Sequence, residues 1–209
     1  MKKIVVLSYG LGNVRSVGNA LRAIGAHVEV SHAEHSIMQA DGLIIPGVGA
    51  FPHGMANLVE SGLVDVIRKY IAFGRPVLGI CLGMQLLFDK GTEFVPTDGL
   101  GLITGSVDII PVSTEVGRLP HIAWSTICQT EQGRQKMFAG LTDSEMRFYF
   151  VHSYAAMGVK PDNISATVTY LGNTIVAAVQ SCNVWGTQFH PEKSGPSGLH
   201  FLRNFVNNC

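Results

Sequence analysis

Residues 75–91 read RPVLGICLGMQLLFDKG. A short apolar run ends on Cys81, with Gly79 two positions before it and Gly83 two positions after. A cysteine that only fills a core needs no such neighbours. A strand that stops on a nucleophile and turns at once into a helix does need them, because the turn presses backbone against backbone and glycine leaves the room. The pattern G-x-C-x-G is a thiol counterpart of the G-x-S-x-G nucleophile elbow, and a helix N-terminus behind the sulfur favours the reactive thiolate. The pentapeptide alone leaves open a small buried cysteine at a strand end.

Outward from this stretch, residues 76–80 read as a strand and 82–88 as a helix. Upstream, 3–7 is a short apolar run, and Val14, Val17, Leu21 and Ile24 recur at helical spacing up to Gly25. Residues 27–31 alternate like a strand, 42–45 form an apolar run stopped by Pro46-Gly47, and 58–73 is helical by period. Short apolar strands alternating with helices argue for a parallel sheet covered on both faces. The second half changes character. Residues 102–110, 121–128, 146–151, 164–170, 174–180 and 184–189 read as strands joined by short turns, before a closing helix over 198–206. The expected fold is α/β: a mostly parallel central sheet flanked by helices, with an added antiparallel portion in the second half. No repeat or linker divides the chain, so residues 1–209 are expected to form a single domain.

Composition narrows the function classes. Hydrophobic residues make up 46% and charged residues 14% of the 209, enough apolar material for a core and too little charge for disorder. Basic and acidic residues balance at 15 each, so no net field attracts nucleic acid or an anionic membrane. The apolar run after Lys2-Lys3 is too short for a signal-peptide core, and no run approaches a spanning helix. A soluble, cytoplasmic protein is expected. Cys81, Cys128, Cys182 and Cys209 show neither CxxC nor zinc spacing, so free thiols and no metal site or cofactor are expected.

A thiol nucleophile needs a base, and among eight histidines His190 stands out. It follows the strand-like VWGTQF and opens His190-Pro191-Glu192, at the end of another strand, where sites of open α/β sheets lie. Glu192 is two residues on and able to orient the imidazole. Cys81, His190 and Glu192 thus supply nucleophile, base and orienter. Taken alone, HPE is also an ordinary turn. Acyl chemistry further requires donors for an oxyanion. The Pro46-Gly47-Val48-Gly49 loop directly after the strand at 42–45, together with the backbone N–H of Leu82, meets that requirement, although Pro-Gly turns are common.

With these residues in place, the chain resembles the class I, triad-type glutamine amidotransferases. GICLGMQLL, PGVGAF and TQFHPEKS match that family's signatures in its order, supported by YGLGNVRSV near the start, LPHIAW at 119–124 and YFVHSY at 149–154. The similarity spans residues 3–205 and implies the family's flavodoxin-like fold. It also implies that Cys81 attacks the side-chain amide of L-glutamine, releases ammonia and forms a thioester that is hydrolysed to glutamate. His190 would relay protons, with Glu192 orienting it. Val48 and Gly49 would supply an oxyanion donor beside Leu82. Gln85, one helical turn after Cys81, and His152, Ser153 and Tyr154 would bind the glutamine. The resemblance is greatest to glutaminases of the histidine pathway, whose partner is a cyclase subunit with a (β/α)8 barrel. Asn13, Trp124 and Tyr149 match positions at that heterodimer interface. For Trp124, an ordinary core aromatic is the alternative. No second catalytic constellation is legible, so a partner that consumes the ammonia is implied. Gly10-Leu11-Gly12 begins like a dinucleotide loop, but Arg15 stands at the third glycine position.

Some positions depart from the family's usual pattern: Ser8, Ala123, Ser125 and Ala155. None belongs to the triad. They leave open a paralogue that supplies ammonia to another acceptor enzyme, for example in surface-sugar modification. A cysteine hydrolase or peptidase on a similar scaffold would share the elbow without HPE, Gln85 and the HSY segment. A catalytically silent binding subunit would be expected to lack a triad member.

Overall fold

Three strands of the first half are almost wholly apolar because the sheet is buried on both faces there, while the edge strand at 27–31 keeps His27 and Glu29. In the computed structural model, which describes residues 1–112 and 117–209, β1 (Lys3–Leu7) sends Ile4 and Val6 into one core and Val5 and Leu7 into the other. It is followed by α1 (Val14–Ala23), β2 (His27–Ser31), α2 (Glu34–Met38), β3 (Gly42–Gly47), α3 (Phe51–Glu60), α4 (Leu63–Ala72) and β4 (Val77–Cys81). The elbow leads into α5 (Leu82–Gln85). Then come β5 (Phe88–Gly91), β6 (Thr97–Asp98), β7 (Ile103–Ile109), β8 (His121–Gln129), α6 (Glu131–Gln135), β9 (Arg147–His152), β10 (Tyr154–Met157), β11 (Ile164–Tyr170), β12 (Asn173–Ser181), β13 (Val184–Thr187) and α7 (Gly195–Asn207).

Nine strands form one sheet in the order β2-β1-β3-β4-β13-β12-β11-β8-β9. Its first five strands run parallel and the remainder pair antiparallel, so the antiparallel portion continues the parallel sheet edge to edge. The α/β expectation holds in both parts. A second, four-stranded sheet in the order β10-β7-β5-β6 was not legible, because its strands are mostly of two to four residues.

Two helix boundaries differ from expectation. The helical period over 58–73 belongs to two helices, α3 and α4, separated at Gly62, whose φ of 68° ends one helix and aims the next. The helix expected over 82–88 stops at Gln85. The carbonyls of Leu86 and Leu87 instead accept from the amides of Leu100, Leu102 and Ile103, and Phe88 pairs with Ile103 in the small sheet. Tertiary pairing outbids helix propensity here. All four cysteines are unpaired, and Cys81 alone is fully buried. Among the described residues, no helix is long and apolar enough to cross a membrane.

Candidate active site

β3, β4 and β13 are adjacent and parallel, so their carboxyl ends deliver three loops to one edge. Gly47 lies opposite Cys81, and Thr187, three residues before His190, lies opposite Ile80. Cys81 itself has φ 54° and ψ −111°, a conformation that costs a residue with a Cβ about 1–3 kcal/mol. The packing around it enforces that geometry. A Cβ on Gly79 would lie 2.5 Å from the Gly83 carbonyl oxygen, and one on Gly83 would lie 1.8 Å from the carbonyl oxygen of Ile45. Both flanking glycines are explained: the first turn of α5 is pressed onto β4 and β3, which pushes the thiol outward at the sheet edge.

The Cys81 Sγ is loosely held. It accepts from Gln188 Nε2 at 3.7 Å and directs its own hydrogen toward the Val151 carbonyl at 3.9 Å. His190 Nδ1 stands 2.9 Å from Glu192 Oε1, with both side chains almost wholly buried. A carboxylate acceptor fixes the proton on Nδ1 and leaves Nε2 as the working nitrogen. Nε2 is buried and makes no well-directed hydrogen bond. Burial alone would lower the imidazole pKa, but the adjacent Cys81 and then Glu192 outweigh it and raise it to about 10. The imidazole therefore carries its proton at neutral pH, placed beside the sulfur for transfer.

The turn that carries the base is stapled to β9. The His190 amide donates to Tyr149 O at 2.9 Å. The Ser194 hydroxyl donates to His190 O at 2.6 Å and accepts from the Tyr149 amide at 3.0 Å. The loop after β3 is held from below by the YGLGN segment: Tyr9 donates its hydroxyl to Pro46 O at 2.7 Å, and Asn57 Nδ2 donates to Tyr9 O at 2.9 Å. Burial, and then the charge of Cys81, push the Tyr9 phenol well above its ordinary pKa, so it remains a donor.

Between these parts lies a cavity of ≈ 280 Å³, near the lower end of the size range of small-molecule sites. Val48, Gly49, Cys81, Leu82 and Gln85 form one side, and His152, Ser153 and Tyr154 the other. The structure therefore brings every residue expected of the oxyanion loop and the glutamine pocket to the same opening. Gln85 Nε2 donates to Tyr154 O and to Gln188 Oε1, each at 3.0 Å, which leaves its Oε1 as a free acceptor. Three features escaped the sequence. Glu93 brings a carboxylate into the cavity while its Oε2 accepts from the Phe51 amide at 2.8 Å, and no local pattern marks it. Gln188 lies within TQFHPEKS, two residues before the base, so a signal existed for it. Tyr9 was quoted within its motif without a role.

Of the three residues expected at a partner surface, two meet. Trp124, 45% exposed, packs edge-to-face on Tyr149 with ring centroids 6.1 Å apart, so the core-aromatic alternative does not describe it. Lys193 Nζ lies 5.8 Å above the Tyr149 ring, which is 6.5 Å from the His190 ring. Asn13 is engaged separately, capping α1 by accepting from the Ser16 amide at 3.3 Å.

A strained cysteine elbow, a buried His–Glu pair and a glycine-rich loop at one edge of an α/β sheet have the geometry that cysteine-dependent acyl transfer requires. The family model for the class-I glutamine amidotransferases matches residues 5–209, and the chain belongs to that family. Relatives resemble it over nearly their whole length. The protein named imidazole glycerol phosphate synthase subunit HisH in Streptomyces avermitilis is 44% identical, covering 98% of this chain and 96% of the relative. The protein of the same name in Symbiobacterium thermophilum is 45% identical, covering 98% and 93%. In three dimensions, the structure of PurLQS from Thermotoga maritima superposes with a TM-score of 0.75 at 19% identity, covering 100% of this chain and 99% of the other, a likeness of fold alone.

Proposed function

We propose that this chain is the glutaminase subunit of an imidazole glycerol phosphate synthase. In that role, a single amidotransferase domain hydrolyses L-glutamine and passes ammonia to a (β/α)8-barrel cyclase subunit in the cytoplasm. The full-length identity of 44–45% to proteins of that name carries the reading. The cyclase would combine the ammonia with a phosphoribosyl-formimino aminoimidazole carboxamide ribonucleotide, giving imidazole glycerol phosphate and an aminoimidazole carboxamide ribonucleotide in histidine biosynthesis.

The chemistry follows from the site. The Cys81 thiolate attacks the side-chain carbonyl carbon of glutamine, and the oxyanion is met by backbone N–H groups of Leu82 and the Val48-Gly49 segment. His190 Nε2 gives its proton to the departing nitrogen, so ammonia leaves and a thioester remains. The now neutral imidazole takes a proton from water, whose oxygen attacks the thioester. Collapse of the tetrahedral intermediate expels the Cys81 thiolate beside the protonated His190, and the product acid gives its proton to water as glutamate, restoring the starting pair. Glu192 keeps the imidazole aligned throughout. Glu93 and the free Gln85 Oε1 suit the substrate's α-ammonium, and His152, Ser153 and Tyr154 enclose its other end. Ammonia is protonated in water at neutral pH, so a direct path to the partner preserves its reactivity. The Trp124–Tyr149 patch beside the triad, with Asn13 further off, suits that docking.

Glutamate release by the purified chain, alone and with the cyclase subunit and its ribonucleotide, tests the reading. Strong stimulation by the loaded partner and loss of turnover in Cys81→Ala are expected. Cys81-dependent turnover that the loaded cyclase leaves unchanged would point to a different acceptor enzyme.

A further inference from the structure

Behind the glutamine pocket lies a buried hydrogen-bond chain whose far end, His121 and Ser125, the proposed mechanism does not use. His121 on β8 is directly opposite His152 on β9. Its Nδ1 is 3.1 Å from His152 Nε2, and its Nε2 is 2.9 Å from Ser125 Oγ. His152 Nδ1 is 2.8 Å from Tyr154 O. The His121 ring is fully buried between Phe150, centroid 5.0 Å away and stacked, and Tyr170, at 4.1 Å and stacked.

One proton arrangement satisfies every link with both rings neutral. A carbonyl only accepts, so His152 must carry its proton on Nδ1, which makes its Nε2 an acceptor. His121 must then donate from Nδ1, so its own Nε2 is bare and the Ser125 hydroxyl donates to it. The polarity runs one way, from Ser125 through both rings to Tyr154 O. That carbonyl also receives Gln85 Nε2, whose second hydrogen goes to Gln188 Oε1, and Gln188 Nε2 in turn reaches the Cys81 sulfur. Burial lowers the pKa of His121 and brings that of His152 to about 4, consistent with two neutral rings.

We propose that His121 is a positioning residue for glutamine: as an Nδ1–H donor it fixes the tautomer and plane of His152, and through the shared Tyr154 carbonyl the orientation of the Gln85 amide. His121 lines no part of the cavity, so it acts through these two residues. The inference rests on the glutaminase reading of the pocket.

Two substitutions separate the hydrogen bond from the packing. His121→Phe keeps a ring between Phe150 and Tyr170 and loses both hydrogen bonds. His121→Asn loses the ring and keeps a donor nitrogen where Nδ1 stood. In the full chain with its cyclase partner, His121→Phe is expected to raise the KM for glutamine about tenfold with kcat within about threefold, the size of one lost buried hydrogen bond. His121→Asn should restore KM to within about threefold of wild type. Imidazole ¹⁵N spectra of the wild-type chain should show both rings as the Nδ1–H tautomer, and His121→Phe should mix the tautomers of His152. An unchanged KM in the folded Phe variant, an Asn variant as impaired as Phe, or an Nε2–H tautomer at His152 overturns the proposal. A wild-type chain with no glutamine turnover would overturn the glutaminase reading instead, and the tautomer spectrum would then decide the chain by itself.

Discussion

At Gly83 a single hydrogen atom separates a working elbow from an impossible one. A methyl group there would have to occupy space 1.8 Å from a backbone oxygen of the adjacent strand, which no side-chain rearrangement relieves. Gly83→Ala is therefore expected to destabilise the chain by more than about 2 kcal/mol and to abolish turnover. Gly18 in α1 is the contrast. Its nearest obstruction is the mobile tip of Arg22 at 3.2 Å, so Gly18→Ala should leave activity intact and stabilise by up to about 1 kcal/mol through helix propensity. Thermal melting and glutamate release on both variants check the pair, and a Gly83→Ala chain as stable as wild type would refute this account of the elbow. The candidate triad could be read at this scale because elbow chemistry demands particular residues in a fixed local pattern. Glu93 was not, because nothing near it in sequence marks a carboxylate that the fold carries back to the pocket.

Elements place the base with less strain and more stitching. The HPE turn leaves β13, yet it is anchored to β9, a strand from the far edge of the sheet, through the Ser194 hydroxyl and the His190 amide. Ser194→Ala would leave the part-buried Tyr149 amide without its partner and the His190 carbonyl with the Lys193 amide alone, at a cost of about 1–3 kcal/mol. Because the staple aligns His190 and touches no part of the glutamine cavity, kcat should fall well before KM rises. Steady-state kinetics check this, and a variant impaired only in KM would count against it. The apolar runs at 3–7, 42–45 and 76–80 announced their strands, since burial on both faces leaves no polar position to confuse the period. The short strands β5, β6 and β10 were hidden for the opposite reason. Phe88–Gly91 follows an apolar stretch with helical period, and only its pairing with β7 and β6 makes it a strand.

For the whole molecule, two of the buried histidines at the site, His190 and His152, titrate in opposite senses and both shape stability against pH. His190 binds its proton more tightly folded than unfolded, with a pKa of about 10: burial opposes the charge, while Cys81 and Glu192 more than compensate. Its contribution is complete below the unfolded value of about 6.5 and is lost as pH rises toward 10. His152 is the reverse. Burial lowers its pKa to about 4, so stability is lost as pH falls from about 6.5 through 4, where the unfolded chain takes a proton the folded one resists. The two limbs meet near pH 6.5, and each kcal/mol lost is about 2–4 °C in Tm at this chain length. His190→Gln removes the His190 share of the alkaline limb without touching His152. Its Tm should lie below wild type at pH 7 but decline less between pH 7 and 10, so the two curves converge as pH rises. Parallel curves over that range would mean that His190 is not held as an imidazolium, and the acid-ready base of the proposed mechanism would fall with it.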